Sequence, residues 1–331
     1  MIDLQTNYMG LLLKSPIIAG SSGITASINQ IRQLEAAGVG AVVLKSLFEE
    51  QILLEVNDVI ASNESNTQYP EAEEYLRNYT KVHSVQKYIS LISEAKKAVK
   101  IPVIASINCI SATDWISFAA EVEEAGADGL ELNIYELPSD RNKTSDTYEE
   151  KYYRIVKAVK AKTKLPVAVK ISPYVSNLVR FVDQLHANGA SAVVLFNRFY
   201  EPDFDLDKLE FVSSEVMSSP ADLNRALRWT GIVKGKLPNV ELAASTGIHN
   251  GAAVVKQILA GAQVTQLCST LYLNGIDVVK SIESDLKAFM KKWGFETLAD
   301  FRGRMSYAQI ASPEVYERAQ FLKYFSNRKE S

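Results

Sequence analysis

The stretch LEAAGVGAVVLK, residues 34–45, contains the junction that decides the fold. A helical pattern ends in small residues at Gly38, and the apolar run AVVL follows almost at once. Glycine is the preferred residue where a helix ends in a left-handed conformation, and a short β-branched run is typical of a buried strand. The stretch therefore predicts a helix that turns directly into a strand.

This junction recurs along the chain and alternates with a second one. The first type returns as VEEAGADGLELN (122–133), LHANGASAVVLF (185–196) and ILAGAQVTQLC (258–268), with Gly126, Gly189 and Gly261 at the helix ends. The second type places a basic residue and a proline before a strand, as in VKIPVIASIN (99–108), TKLPVAVKIS (163–172) and GKLPNVELAAS (235–245). Their alternation predicts a repeated unit of one strand and one helix.

Eight strands follow from this pattern. They are predicted at Ile17–Gly20, Ala41–Lys45, Val103–Ile107, Gly129–Asn133, Val167–Ile171, Ala192–Phe196, Glu241–Ser245 and Val264–Cys268. Periodicity near 3.6 predicts helices between them, for example at Ile28–Ala37, Trp115–Ala125, Leu178–Ala187 and Ala252–Ala260. Apolar strands joined by helices run parallel and are covered on the outside, which favours an α/β fold of the (β/α)8 TIM barrel type. A doubly wound sheet is the alternative, because periodicity does not show closure.

We expect a single domain over residues 1–331 with three additions to the barrel. They are insertions near 46–80 and 202–220, after the second and sixth strands, and a C-terminal extension at 294–331. Connections of this length commonly cap a site or form an interface. The extension carries tyrosines and phenylalanines at roughly helical spacing, which predicts packing against the barrel or against a second subunit.

The composition excludes several functional classes. Lys and Arg number 36 against 39 Asp and Glu, a net charge of -3, so no basic face indicates nucleic acid. Cys109 and Cys268 cannot build a disulfide framework or an iron–sulfur site within the chain, and the three histidines lack metal-ligand spacing. No signal-peptide pattern and no membrane-length apolar run are present. We therefore expect a cytoplasmic protein with a small-molecule substrate, no metal, no nucleic acid and no membrane.

Polar residues follow nearly every predicted strand, at the end of the barrel where active sites lie. ASTGI (244–248) and CSTLY (268–272) follow strands seven and eight, whose loops commonly bind phosphate through backbone N–H groups. Ordinary Ser and Thr helix caps are the alternative interpretation. Their joint placement favours a phosphate site.

Two lysines end apolar runs, Lys45 after AVVL and Lys170 after VAV. Side chains at this position point into the barrel mouth, where an unpaired ammonium group is costly to bury. Each lysine is expected to contact an anionic ligand with a phosphate and an electron-rich ring, or to pair with a loop carboxylate such as Glu49 or Glu50.

These blocks, in this order, resemble the dihydroorotate dehydrogenase family, FMN-dependent TIM barrels that oxidise dihydroorotate to orotate in pyrimidine biosynthesis. The similarity is carried by SPIIAGSSG (15–23), AVVLKS (41–46), GLELNIYE (129–136), PVAVKISPY (166–174), VVLFN (193–197), ASTGI and AGAQVTQLCSTL (260–271), and more weakly by ADFRGRMS (299–306). It implies an FMN-dependent oxidoreductase acting on a CH–CH group.

The resemblance also implies roles for individual residues. The residues that border the flavin would be Ala19, Gly20, Ser21 and Ser22. Those that hold its phosphate would be Thr246, Gly247, Ser269 and Thr270. Lys170 would lie near the flavin N1 and C2 carbonyl, where a cation stabilises negative charge on the reduced flavin. The contacts with flavin or with the substrate's carboxylate and ring would come from Lys45, Asn133, Asn197 and Arg198.

The sequence departs from the family at the substrate. Soluble members follow the fourth strand with Asn-Leu-Ser-Cys-Pro-Asn, whose cysteine removes a proton, whereas residues 133–138 read Asn-Ile-Tyr-Glu-Leu-Pro. Glu136 therefore replaces the base, with Lys45 as the second candidate catalytic residue, because a buried carboxylate can act as a general base. A surface charge is the alternative for Glu136. The family's Asn-x-x-Gly-x-x-Asn loop is not visible in residues 57–76, and its glycine-rich turn has become MSSPADLNRALRW (217–229).

Three alternatives stay open at this point. The chain has a different substrate, or it has lost activity, or it is a flavin-free barrel lyase in which Lys170 forms a Schiff base as in aldolases. Fumarate, a soluble nicotinamide and a partner flavoprotein are all open as electron acceptor. Barrels of this family often pair, so a homodimer is expected as one arrangement beside a monomer.

Overall fold

The computed structural model describes residues 2–62, 70–109, 112–198, 201–213 and 215–317. Its centre is a sheet of parallel strands, namely β1 (Ile17–Ala19), β2 (Ala41–Val43), β3 (Val103–Asn108), β4 (Gly129–Asn133), β5 (Val167–Ile171), β6 (Ala192–Leu195), β7 (Glu241–Ser245) and β8 (Val264–Leu267). Each strand pairs with the next along the chain, and β8 pairs with β1. The sheet is therefore closed, which confirms the predicted TIM barrel; the open doubly wound alternative is wrong.

Helices surround the sheet. Those of the described residues are α1 (Ile28–Ala37), α2 (Glu49–Ser62), α3 (Pro70–Ala98), α4 (Ala112–Glu124), α5 (Ser145–Lys160), α6 (Leu178–Ala187), α7 (Leu223–Lys236), α8 (Gly251–Ala260), α9 (Ser269–Asn274), α10 (Val278–Trp293) and α11 (Glu314–Glu317). The four glycines predicted to end helices have φ between 89° and 120°, the left-handed conformation that the junctions require. None of the described helices is long and apolar enough to cross a lipid bilayer.

The interior of the barrel follows from the two-residue period of its strands. Side chains such as Ile18, Val43 and Val194 point inward and form one core, whereas their neighbours pack under the helices in a second and larger core. A short hairpin of Thr6–Tyr8 and Leu11–Leu13 places Tyr8, Met9 and Leu13 in the inner core. The N-terminal segment therefore closes the base of the barrel and leaves its other end open.

The three additions take different forms. The first insertion contains a strand, Leu47–Phe48, that pairs with the end of β3, followed by α2 and the start of α3. The second contains an antiparallel hairpin of Pro202–Asp205 and Glu210–Ser213. In the extension, backbone N–H groups of Met305 and Tyr307 donate to carbonyls of α8 and α7, so this part packs against the barrel. Residues 318–331 lie outside the described residues.

Candidate active site

A cavity of about 320 Å³ lies at the carboxyl ends of the strands. This volume is within the range of roughly 300–1,000 Å³ that is usual for small-molecule and cofactor sites. Its lining residues come from five strand ends and from the segment before α7: Ser21, Ser22, Lys170, Phe196, Asn197, Arg198, Val216, Met217, Ser218, Ser245, Thr246, Gly247, Ile248, Gln266, Cys268, Ser269 and Tyr272. Loops after β1, β7 and β8 thus lie around the same cavity as Lys170.

The floor of this cavity is a network of three buried polar side chains. Lys170 Nζ lies 3.3 Å from Gln266 Oε1 and 3.9 Å from Glu131 Oε1. Gln266 Nε2 donates to Glu131 Oε2 at 2.6 Å, and Glu131 is only 1% exposed. Lys170 thus has a carboxylate partner on a barrel strand. This partner is Glu131 rather than Glu49 or Glu50, the loop carboxylates considered from the sequence.

The strand register explains why these groups meet. Gly129, Glu131 and Asn133 alternate along β4, so all three face the barrel axis. Lys170 on β5 pairs in register with Asn133, and Gln266 on β8 enters from the far side of the closed sheet. The alternation in GLELN and VTQLC indicates that Glu131 and Gln266 face the interior of the barrel. Sequence reasoning considered only residues at strand ends and therefore missed both.

At the opposite side of the cavity, β7 ends in a tight turn. Thr246 and Gly247 have φ of 77° and 74°, and a non-glycine residue in this conformation is uncommon enough to indicate a functional constraint. The Thr246 hydroxyl donates to the Phe196 carbonyl at 3.1 Å. A Cβ atom on Gly247 would stand 2.2 Å from the Leu223 nitrogen. The turn therefore needs glycine and brings backbone close to the cavity.

A segment that sequence reasoning did not assign closes this side. The Ser218 N–H donates to Ser269 Oγ at 2.9 Å, and Ser218 Oγ lies 3.2 Å from His249 Nε2. Arg198 donates from its guanidinium to the Val216 carbonyl at 2.7 Å. We call residues 215–218 the strap. The strap joins the region before α7 to the Ser269 turn. The two serines near the start of MSSPADLNRALRW are the sequence feature from which this contact could have been predicted.

The predicted substrate residues lie at the mouth. Asn197 Nδ2 donates to Asn133 Oδ1 at 2.7 Å, so these two amides act as one unit. Asn197 and Arg198 line both the main cavity and an adjoining one of about 280 Å³, to which Tyr174 and Arg225 also contribute. The mouth thus offers amide and guanidinium donors to an anionic molecule.

Four other predicted residues lie close to the cavity without lining it. Ala19 is buried at the end of β1, and the Gly20 N–H donates to the Leu267 carbonyl at 2.8 Å. Thr270 is fully buried and its hydroxyl donates to the His249 carbonyl. Lys45 lines a neighbouring cavity of about 540 Å³ between the end of β2 and helices α2 and α3.

The structure places Glu136 on the α5 side of the strand end. Its carboxylate lies 2.7 Å from Lys151 Nζ and 3.8 Å from Lys143 Nζ. It lines a small pocket with Tyr148 and Phe181 rather than the cavity above Lys170. β4 ends at Asn133, so the strand period no longer sets the direction of side chains at position 136, and Lys151 of α5 holds the carboxylate on its own side.

Two further titratable groups border the mouth. Burial raises the pKa of the Cys268 thiol, and the opposing effects of Lys170 and of a hydrogen bond with Ser22 are smaller, so the thiol stays protonated at neutral pH. Burial also raises the pKa of Tyr135, with smaller contributions from Glu50 and Tyr174. Neither group is a ready base. Over the described residues, no cluster of three or more His, Cys, Asp or Glu side chains is arranged to hold a metal.

The donors of the main cavity fit a flat anionic molecule that ends in a phosphate. Lys170 lies at one side, and hydroxyl groups and the glycine turn at Gly247 lie at the other. FMN has this combination of an electron-rich ring and a phosphate.

Comparison with known proteins identifies the family. The family model described as dihydroorotate dehydrogenase matches residues 3–290. The catalytic subunit of dihydroorotate dehydrogenase B (NAD(+)) from Thermoplasma volcanium is 27% identical over 92% of this chain and 98% of its own. The proteins of the same name from Thermoplasma acidophilum and Pyrococcus horikoshii are 26% and 25% identical, over 92% and 91% of this chain and 99% and 97% of theirs.

These matches confirm the predicted enzyme class and cofactor, because family members are FMN-dependent. The chain belongs to the dihydroorotate dehydrogenase family, whose enzymes are FMN-dependent oxidoreductases acting on CH–CH groups.

Proposed function

We propose that this protein oxidises dihydroorotate, or a closely related dihydropyrimidine carboxylate, to the unsaturated product. The observation that carries the proposal is Lys170, held by Glu131 and Gln266 at the floor of a cavity whose other side is the Thr246–Gly247 turn. When bound, FMN would supply the acceptor for the hydride that leaves the substrate. The chain's own residues bind the cofactor and the substrate, and they take up the proton.

The cofactor contacts follow from the cavity. Lys170 supplies positive charge next to the flavin ring, where fixed charge is effective because water is largely excluded. The residues that would hold the phosphate are Thr246, Gly247 and Ser269, which line the cavity, with the buried Thr270 next to Ser269. Ser21 and Ser22 would border the flavin, with Ala19 and Gly20 preceding them at the end of β1. Asn133 would fix the side chain of Asn197 through the hydrogen bond that it accepts from Nδ2.

The substrate contacts come from the mouth. Asn197 offers its amide to the pyrimidine ring, and Arg198 suits the substrate carboxylate because a guanidinium can bind it through two hydrogen bonds. Lys45 approaches from the β2 side, where its cavity adjoins the insertion. This set of amides and cations is what an anionic ring with carbonyl and N–H groups requires.

We propose Glu136 as the group that accepts the substrate's proton. Its carboxylate has to leave Lys151 and turn towards the barrel axis for this role. The segment that follows leaves room for such a movement, because residues 137–144, between β4 and α5, are exposed along their whole length. Substrate binding would supply the energy for the rearrangement.

A matched pair of variants tests this role. Glu136→Gln removes the base, whereas Lys151→Met removes only the ion pair. With FMN-loaded protein and dihydroorotate under anaerobic conditions, we expect Glu136→Gln to slow flavin reduction by about 10²-fold or more, and Lys151→Met to leave it within a few-fold. Equal and small effects of both changes would show that Glu136 serves only the ion pair. The product is identified as orotate by its ultraviolet spectrum.

The aldolase interpretation has less support. A Schiff-base lysine has to reach the substrate carbonyl, whereas Lys170 is held at the cavity floor by Glu131 and Gln266. The curated relatives are named for NAD+, and we propose the same final acceptor for this chain. A cytoplasmic location is also proposed, which the two free cysteines of the described residues support.

A further inference from the structure

The mouth of the site extends beyond the cavity above Lys170. That cavity shares four lining residues with the adjoining cavity of about 280 Å³: Phe196, Asn197, Arg198 and Thr246. The adjoining cavity in turn shares four lining residues with a groove of about 450 Å³: Pro173, Tyr174, Asn224 and Arg225. The three spaces therefore adjoin one another and lead from the candidate cofactor site outwards along α7.

Two arginines give the outer part of this path a positive charge. We call the 450 Å³ space the arginine groove, and its lining residues are Pro173, Tyr174, Asn224, Arg225, Arg228 and Trp229. Arg225 and Arg228 are exposed and three residues apart on α7, so their side chains lie on the same face of the helix. Among the residues that the structure describes, neither guanidinium forms an ion pair with a carboxylate. Two such groups on one face suit a phosphate, because a guanidinium binds it through paired N–H donors.

The space between the mouth and the arginine groove suits a sugar. Glu201, which is exposed, lines the 280 Å³ cavity together with Asn224 and Asp222. The Asp222 carboxylate already has a partner, because it accepts from the Ser219 N–H at 2.7 Å. A carboxylate accepts hydrogen bonds from ribose hydroxyl groups, and a side-chain amide both donates and accepts. Glu201 and Asn224 therefore offer the contacts that a ribose requires.

Dihydroorotate by itself uses only the inner part of this path. Its ring and its single carboxylate are matched by Asn197 and Arg198 at the mouth, and it has no second anionic group for Arg225 and Arg228. A ring that carries a sugar and a phosphate uses the remaining donors in the order in which they occur, with hydroxyl partners next to the mouth and cations further out.

We propose that the protein binds a pyrimidine carboxylate in its nucleotide form, with the ring at the mouth, the ribose beside Glu201 and Asn224, and the 5′-phosphate between Arg225 and Arg228. The inference rests on the proposed function, since the ring is assigned to the same mouth. The reaction at the ring is unchanged, because C6 gives up a hydride to the flavin, C5 gives up a proton to the base, and the sugar phosphate takes no part. Dihydroorotate fills the ring subsite alone and remains a substrate, with lower affinity.

Isothermal titration calorimetry of the FMN-loaded protein tests this assignment with three ligands. They are orotate, orotidine, which adds the ribose, and orotidine 5′-monophosphate, which adds the phosphate. We expect the monophosphate to bind at least about tenfold more tightly than orotidine, because the two guanidinium groups form charge-assisted hydrogen bonds with its phosphate.

Two pairs of substitutions locate the phosphate contact. Arg225→Met with Arg228→Met should remove most of the preference for the monophosphate over orotidine, and Arg228→Met alone should remove less of it. The control, Lys291→Met with Lys292→Met on α10, removes two exposed charges outside the groove and should keep the full preference. The flavin absorption that each variant retains shows that it is folded.

The outcomes separate this inference from the proposed function. A monophosphate that binds no more tightly than orotidine overturns the inference, and so does a preference that survives the loss of both arginines. In either case, orotate binding and the bleaching of the flavin by dihydroorotate would leave the proposed function intact. If neither orotate nor the monophosphate binds and dihydroorotate does not bleach the flavin, the proposed function fails and the inference fails with it.

Discussion

Glu131 is the residue whose replacement tests the floor of the site most sharply. Glu131→Gln keeps the shape of the side chain and a hydrogen bond with Gln266 but removes the charge opposite Lys170. Two unit charges 3.9 Å apart attract each other by about 4 kcal/mol at an effective dielectric constant of ~20. Residues in one ion-pair network typically show interaction energies of about 0.5–3 kcal/mol, so we expect a coupling at the upper end of that range, about 2–3 kcal/mol.

A double-mutant cycle measures that coupling. The flavin-free forms of the wild type, Glu131→Gln, Lys170→Met and the double variant are unfolded in urea. Each single change leaves one buried charge unpaired, whereas the double change removes both, so the double variant should lose about 2–3 kcal/mol less than the sum of the singles. Additivity within about 0.5 kcal/mol would refute the claim that these charges form one unit.

The same variant has a second readout in the FMN-loaded protein. Without the carboxylate, the full charge of Lys170 acts on the flavin and favours its negatively charged reduced form. The midpoint potential should therefore rise by an amount on the order of 30 mV, equivalent to about 1.4 kcal/mol for two electrons. Glu241→Gln is the control, because that carboxylate lies at the base of the barrel, where it accepts from the Met9 N–H. A potential that moves equally in both variants, or not at all, would contradict the assignment.

Three further predictions concern single side chains. Gly247 has a left-handed backbone conformation, and Gly247→Ala would place a Cβ atom 2.2 Å from the first backbone nitrogen of α7. We therefore expect the affinity for FMN, measured by fluorescence titration, to fall at least about tenfold. An unchanged affinity would be inconsistent with a turn that binds the cofactor. Tyr88→Phe removes the hydroxyl that donates to the Ser106 carbonyl and accepts from the Ser106 N–H. The free energy of unfolding, measured by denaturant titration, should fall by about 1–3 kcal/mol. An unchanged free energy of unfolding would show that these two hydrogen bonds do not stabilise the fold. The hydrogen bond from Thr163 lowers the pKa of Glu123 below its usual 4.5, so this carboxylate stabilises the fold above that pH and loses its contribution as the pH falls through the lowered pKa. The difference in unfolding free energy between the wild type and Glu123→Gln should therefore shrink in acid. A difference that does not depend on pH would contradict a stabilising role for the ionised carboxylate.

Much of the fold could be predicted because its signals are local. Gly38 and Gly261 end helices in the left-handed conformation, and the apolar runs beyond them become β2 and β8 within one or two residues of the predicted bounds. The hairpin at 202–213 escaped prediction because its strands are short and, with both faces exposed, lack a clear alternation of buried and exposed residues. The N-terminal hairpin escaped for a similar reason, since its strands have three residues each.

The site was predictable where it lies at strand ends and less so elsewhere. Lys170, Thr246 and Ser269 line the cavity because the register of a closed barrel carries strand-end residues to one side. The pairing of Glu131 with Lys170 depends on which strands are neighbours, which the sequence does not state. The ion pair of Glu136 joins a loop to a residue 15 positions later, a contact that no periodicity reports.

The central claim, that this barrel is a flavin enzyme acting on dihydroorotate, is tested most directly by one visible absorption spectrum. The purified protein is saturated with FMN and recorded anaerobically before and after dihydroorotate is added. We expect the yellow flavin band to bleach as orotate forms. A protein that is colourless after incubation with FMN and removal of the unbound flavin by gel filtration would contradict the cofactor site, and a yellow protein that dihydroorotate does not bleach would contradict the proposed substrate.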